Sequence, residues 1–387
     1  MKKIWIRFLC FALIFACLIP LTVFASPGET AVAVWRDISA QSYFLMDADT
    51  GAVLAQSAAD RAVPMASTTK IMTCLVALEK GDLNAKVVIP KEAVGIEGSS
   101  VYLVAGEELT LLELIYAMML ESANDAAVAI ALHVSGSVPA FAEAMNQKAA
   151  ELGMNGSHFV NPNGLQEDGH LSTARDLSLL MCSAMKNPLF AEISGTRTKT
   201  ISAPEGKTRY LSNHNRLLRS YDGCVAGKTG FTKAAGRCLV TAACRDGKTL
   251  VCTTLGAPDD WRDHASLFDF GFSQYHSETL VEEGGLKLEI PVVGGTAPVL
   301  SLINVGSASC MIRSEETVRS RVELPTFVYA PIAKDDVLGE VVYTLGENEI
   351  ARIPLCAEVS VDQREIPPGF WQKIWKRFCD WLKKWKK

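Results

Sequence analysis

The sequence predicts a mixed α/β domain, a small all-β domain behind it and a C-terminal amphipathic helix. Three observations carry this. The chain has 387 residues, 49% of them hydrophobic, more than one compact core usually holds, so two folded units are expected. From about Ala31 to Tyr275 short β-like runs alternate with helical stretches, and from His276 the chain turns to β-branched runs separated by Gly, Pro and Asp. The last stretch, residues 370–387, has helical amphipathy and a charge opposite to the rest.

Taken in order, residues 1–25 begin with Lys2, Lys3 and Arg7, continue in an apolar run from Phe8 to Phe24 and end in Ala25 with Val23 two positions earlier. This is secretory-signal chemistry, with cleavage expected after Ala25. An uncleaved anchor is the alternative; the apolar run is short for a spanning helix and Pro20 interrupts it. The α/β domain, 26–275, opens with a hairpin over Ser42 to Leu54, turned at Asp47 to Gly51. Lys70 to Lys80 reads as an apolar helix ended by Gly81, and Leu109 to Leu120 as a second, apolar all round and therefore buried. Ser172 to Met185 reads as a third, capped at its start and stopped by Asn187 and Pro188. The β-domain, 276–366, shows strand-like runs at Leu286 to Val293, Val322 to Tyr329, Val337 to Leu345 and Ile350 to Val359. A linker and helix fill 367–387.

In that helix Phe370, Trp371, Ile374, Trp375, Phe378, Trp381, Leu382 and Trp385 fall within an arc of roughly 140°. Seven Lys or Arg and the single Asp380 make residues 370–387 net +6, whereas residues 26–369, with 28 basic and 42 acidic groups, are net −14. A Trp-rich, Lys-rich helix of this kind suits an anionic membrane surface; docking on the acidic body is the alternative. So acidic a body predicts no nucleic-acid partner. Of eleven cysteines, Cys10 and Cys17 would leave with the signal, and the remaining nine show no paired or metal-ligand spacing. No disulfide scaffold is expected; Cys74, Cys182, Cys238 and Cys252 sit among apolar neighbours and read as small core residues. His158, His170, His214 and His264 lack a spacing that suggests metal and read as structural or surface groups. No cofactor or metal is expected.

The chemistry lies in three short motifs. Ser67-Thr68-Thr69-Lys70 precedes the first apolar helix, and a separation of three puts both side chains on one helical face, so that a lysine amine reaches a serine hydroxyl. A serine is a poor nucleophile until a base takes its proton, and an amine acts as that base once burial or nearby positive charge lowers its pKa. Ser122-Ala123-Asn124 follows the second helix, and Lys228-Thr229-Gly230 lies in a strand-like run. Each motif alone is common; their order together matches the acyl-serine transferases, penicillin-binding proteins and serine β-lactamases.

The residues around these motifs narrow the resemblance. Pro64-Met65-Ala66-Ser67-Thr68-Thr69-Lys70-Ile71-Met72-Thr73, Ser122-Ala123-Asn124-Asp125-Ala126-Ala127, Leu152-Gly153-Met154, Asn161-Pro162-Asn163-Gly164-Leu165 and Gly227-Lys228-Thr229-Gly230-Phe231-Thr232 resemble the serine D-alanyl-D-alanine carboxypeptidases of peptidase family S11, the low-molecular-mass penicillin-binding proteins, including their sporulation-type members. The likeness runs from about residue 30 to 360. It implies a β-lactamase/transpeptidase-like catalytic domain, an antiparallel sheet with helices, and removal of the terminal D-Ala from peptidoglycan stem pentapeptides. It implies Ser67 as acyl-ester nucleophile, Lys70 as general base and Ser122 as proton relay. Lys228 and Thr229 would bind the terminal carboxylate, Asn124 the substrate amide, Gly230 would leave room for the strand's approach, and the N–H groups of Ser67 and Phe231 would form the oxyanion hole. β-Lactams are implied as covalent inhibitors, and the outer face of the cytoplasmic membrane as the location. Met65 and Ala123 depart from the commonest residues at their places, and neither carries a reacting atom.

Three rivals stand beside this reading. A serine β-lactamase shares the motifs, but no Glu-x-x-Leu-Asn loop lies between the second and third. A D,D-endopeptidase uses the same chemistry on a larger leaving group. A non-catalytic peptidoglycan-binding protein would lack Ser67, Lys70 or Lys228, and all three are present.

Overall fold

A computed structural model describes residues 37–365 and 369–385. The expected signal, 1–25, and Pro367 and Pro368 of the expected linker lie outside the described residues. In chain order the strands of the first domain are β1 (Ser42–Asp47), β2 (Val53–Ser57), β3 (Lys86–Val88), β4 (Glu108–Thr110), β5 (Thr198–Ser202), β6 (Thr208–Ser212), β7 (Cys224–Thr232), β8 (Gly236–Arg245) and β9 (Lys248–Leu255). Five of them form one antiparallel sheet, ordered β2-β1-β9-β8-β7, so β7 with the third motif is an edge strand. The hairpin turns as expected: the Asp47 carboxylate accepts from the N–H groups of Asp49 and Thr50, and Gly51 takes φ 75°.

Both faces of this sheet are covered, and β1 shows how. Phe44 and Met46 join the larger core with helices Lys70–Lys80, Leu111–Leu120, Asn124–Ser135 and Ala174–Met185; Tyr43 and Leu45 alternate to the other face, against helix Asp260–Ser273. The first helix keeps its expected bounds. The second starts later than its apolar run suggests, because Leu109 is spent in β4 and Thr110 makes a capping box with Glu113. The third starts at Ala174 under the cap of Thr173. Asn187 and Pro188 do more than stop it: Asn187 Oδ1 accepts from Leu189 and Phe190, and Pro188 opens a further helix, Pro188–Gly195.

The second domain comprises β10 (Tyr275–Val281), β11 (Lys287–Val293), β12 (Val299–Asn304), β13 (Ala308–Arg313), β14 (Val318–Glu323), β15 (Val328–Tyr329), β16 (Val337–Leu345) and β17 (Asn348–Ala357). β10 pairs with β13, and the other six form a sheet ordered β14-β16-β17-β12-β11-β15 around Ile290, Leu300, Leu302, Val341 and Leu355. The run Val322 to Tyr329, expected as one strand, is two: it breaks after Glu323, where Leu324-Pro325 follows, and its halves lie on opposite edges of the sheet. The tail forms helix Phe370–Trp385. Among the described residues no single helix is long and apolar enough to cross a membrane.

One buried ion pair ties the start of the second domain to the first. Asp47 Oδ2 lies 3.0 Å from Lys248 Nζ and accepts from the Tyr275 hydroxyl at 2.8 Å. Burial pushes the Asp47 carboxyl up, and the Lys248 charge with these hydrogen bonds overcomes it and holds the group below its ordinary value. Asp47→Ala removes the nearer carboxylate of buried Lys248, leaving Asp49 at 3.7 Å, and strips the Tyr275 hydroxyl of its acceptor. It is expected to lower the unfolding free energy by about 3 kcal/mol. Denaturant unfolding of the variant measures this; a loss under about 1 kcal/mol would place the stabilisation elsewhere.

Candidate active site

Ser67 stands on a 3-10 turn, Ala66–Thr69, that runs into helix Lys70–Lys80. Positions i and i+3 eclipse in such a turn, and Lys70 Nζ comes to 2.9 Å from Ser67 Oγ. Ser67 is half-buried; Lys70 is fully buried. The amine has two more neighbours, Asn124 Oδ1 at 2.6 Å and the carbonyl oxygen of Asn163 at 2.5 Å. Burial first, then the nearby charge of Lys228, push its pKa far below the ordinary lysine value, with Asp125 opposing. A neutral amine has two hydrogens and one lone pair. In that form, with the two carbonyl oxygens accepting the hydrogens, the lone pair is left for the Ser67 hydroxyl.

Ser122 sits between helices Leu111–Leu120 and Asn124–Ser135 at φ 59°, a conformation that costs a non-glycine residue about 1 kcal/mol or more. Its hydroxyl lies 2.9 Å from Lys228 Nζ, which also donates to Thr229 O at 2.9 Å. Burial lowers the Lys228 pKa to about 7. Ser67, Ser122, Asn124, Thr229, Gly230 and Phe231 line one cleft of about 440 Å³, with both lysines beneath. Lys228, at 2% exposure, lies beneath the cleft floor, bonded to Ser122 Oγ and Thr229 O. Asn124 lines the cleft, and its Oδ1 accepts from Lys70 Nζ while its Nδ2 donates one hydrogen to Glu97 O.

The edge strand β7 lies close against the nucleophile turn: a Cβ on Gly230 would meet Ser67 N at 3.0 Å and Met65 O at 3.1 Å, so a larger residue would push the turn by a few tenths of an ångström. Gly164 takes φ 85°, and a Cβ there would lie 2.0 Å from Ala66 O. The Asn161 to Leu165 loop therefore belongs to the site. Thr73 bonds Pro162 O at 2.6 Å and Asn161 Oδ1 accepts from Gly164 N at 2.8 Å, fixing the Asn163 carbonyl over Lys70. The loop's working atom is a backbone oxygen, which every residue type carries. The signal that finds it is the need of a buried amine for two acceptors. His214, Arg237, Asp260 and Trp261 also line the cleft without having been singled out for it by sequence; Arg237 donates to Asp260 Oδ1 at 2.8 Å. Asn213 and Asn215 are buried and order the strand approach through Asn213 Oδ1, which accepts from Asn215 N.

His170 is structural, as expected, but is wired to the nucleophile. Its Nδ1 accepts from Val160 N, so Nε2 carries the proton and donates to Thr69 Oγ1 at 2.8 Å, which donates to Ala66 O. Burial, with weaker repulsion from His158 and Lys70, lowers its pKa to about 4. His264, between Thr241 and Thr254, is likewise held low, at about 3. An unfolded histidine titrates near 6.5. Between that value and about 4 the unfolded chain binds more protons, so stability falls as pH is lowered through this window. Thermal unfolding is expected to show this decline, shallower in His170→Gln; a wild-type curve flat from pH 6.5 to 4 would contradict it.

Residues 28–259 match the family described as D-alanyl-D-alanine carboxypeptidase, and residues 279–363 match the penicillin-binding protein 5 C-terminal domain. The chain is 31% identical over 355 residues to the D-alanyl-D-alanine carboxypeptidase DacF of Bacillus subtilis, covering 89% of this chain and 90% of that one. It is 31% identical over 238 residues to a D-alanyl-D-alanine endopeptidase of Escherichia coli, covering 60% of this chain and 76% of the relative. The crystal structure of penicillin-binding protein 5 from Haemophilus influenzae superposes with a TM-score of 0.61 at 29% identity, over 86% of this chain and all of that one.

Proposed function

From the premise that this chain belongs to the peptidase S11 family of serine D-alanyl-D-alanine carboxypeptidases, we propose that Ser67, Lys70, Ser122 and Lys228 carry out the reaction and that residues 370–387 hold the enzyme at a membrane surface. The substrate is the peptidoglycan stem peptide, whose terminal D-Ala is removed. The observation that carries the assignment is the set of three neighbours around Lys70 Nζ, two of them pure acceptors and the third the Ser67 hydroxyl.

Ser67 Oγ attacks the carbonyl carbon of the penultimate D-Ala as its proton passes to Lys70 Nζ. The N–H groups of Ser67 and Phe231 receive the developing oxyanion, and the close packing of Gly230 on the nucleophile turn supports that placement. Collapse of the tetrahedral species breaks the peptide bond, and the departing D-Ala amine takes a proton relayed by Ser122, whose hydroxyl is held by Lys228. Thr229 meets the terminal carboxylate from the cleft wall, with the Lys228 charge beneath it. Water then attacks the acyl ester, with Lys70 again as base. A β-lactam, opened by the same serine, leaves an acyl-enzyme in place of the peptide acyl group.

The tail presents Phe370, Trp371, Ile374, Trp375 and Phe378 exposed along one helix, flanked by Lys373, Lys376 and Arg377. That composition suits an anionic bilayer interface, and with the signal chemistry of residues 1–25 it supports an exported enzyme attached to the outer face of the cytoplasmic membrane.

D-Alanine release from a peptidoglycan pentapeptide by residues 26–369 is expected, and Ser67→Ala is expected to abolish it while leaving the fold intact. Release that survives the substitution would refute the nucleophile assignment; a folded wild-type enzyme that cleaves only crosslinked peptides would favour endopeptidase action. Removing residues 370–387 is expected to shift the enzyme from the membrane to the soluble fraction with unchanged release of D-alanine, and persistent membrane binding of that variant would refute the tail's role.

A further inference from the structure

The β-domain carries an apolar patch at one pole. Phe327 and Tyr329 meet edge to face at 5.4 Å and are 44% and 68% exposed. Tyr329 pairs with Val293 across β15 and β11, and Val293, Val299 and Val359 are exposed on the same end. The turn between β16 and β17 marks the opposite end: there Asn348 Nδ2 reaches Asp49 O of the catalytic domain at 3.4 Å. β16 has nine residues, so the patch stands about 30 Å beyond that junction.

The chain leaves the β-domain at this same pole. Gln363 bridges to Gly295 and Arg364 N donates to Gly294 O, beside Val293. The amphipathic helix starts at Phe370, and the five steps from Glu365 span at most about 17 Å. A bilayer holding that helix therefore lies within reach of the patch. Lys334 and Arg364 against Asp335, Asp336, Asp362 and Glu365, all exposed, leave this set of groups net −2, so charge opposes an anionic surface here and apolar burial supplies the attraction. Aromatic side chains with one polar end suit the headgroup level.

We infer that Phe327, Tyr329 and Val293 form a second membrane contact, which dips into the lipid interface beside the tail and fixes the orientation of the β-domain on the bilayer. The tail supplies most of the affinity and the patch a smaller share, and the inference rests on the proposed attachment by residues 370–387.

The test is cosedimentation of the protein from Ser26 to Lys387 with vesicles of phosphatidylglycerol and phosphatidylcholine in equal parts. The double variant Phe327→Ser, Tyr329→Ser is expected to partition roughly tenfold more weakly, with D-alanine release in solution unchanged. Phe327→Trp with Tyr329→Trp should retain the affinity, and Val322→Ser, exposed on the opposite edge strand β14, should leave it as in the wild type. If the wild type binds and the double serine variant binds equally well, the patch does not touch lipid and the inference is overturned. If the wild type itself fails to bind, the tail reading falls and this one falls with it.

Discussion

The exclusion of water from Lys70 is the constraint on which the site depends. An ammonium in that position would lose its hydration for two neutral acceptors and a hydroxyl, and the charge of Lys228 lies close by. The neutral amine is the form this environment favours, and a neutral amine beside a serine is a base. Everything that surrounds the pair either excludes water from it or supplies one of its acceptors. The helix Asn124–Ser135 brings Asn124, and the Asn161 to Leu165 loop brings a carbonyl oxygen.

Holding those pieces together requires backbone conformations that side chains ordinarily avoid. Ala66, beside the nucleophile, takes φ 49° and Ser122 takes φ 59°. Such strain persists only where surrounding packing over-determines it. Here the over-determination is visible: β7 presses on the 3-10 turn through Gly230, and the Asn161 to Leu165 loop presses on Ala66 through Gly164. Two glycines approach the nucleophile turn closely, both near Ser67 N, with Lys228 and Ser122 bonded beneath the cleft. The rest of the sheet, buried on both faces, supplies the rigidity that lets an edge strand serve as one wall.

Much of this was legible in the sequence, and what was missed has a physical reason. The spacing of Ser67 and Lys70 announces contact because it is local, and the hairpin at Asp47 to Gly51 because its turn chemistry is local. The role of the Asn163 carbonyl is invisible, since every residue has one and only tertiary placement makes it a ligand of Lys70. The contact of Asn124 with Lys70 is hidden in the same way, because the motif names the residue but not which neighbour its amide finds. Asn187 and Pro188 stop one helix and start the next, and both readings use the same residue types. Val322 to Tyr329 looks continuous in β-propensity, yet its two halves sit on opposite sheet edges, a separation that no window of sequence contains.

The central claim is that Lys70 acts as a neutral amine, and acylation of Ser67 by a D-alanyl-D-alanine peptide in Lys70→Arg tests it most directly. Arginine keeps a cation and a long stem at the position but cannot give up its proton near neutral pH. The account predicts a folded protein whose acylation rate falls by about a thousandfold. A rate within a few-fold of the wild type would mean that positive charge, and not a free lone pair, is what the serine needs from residue 70.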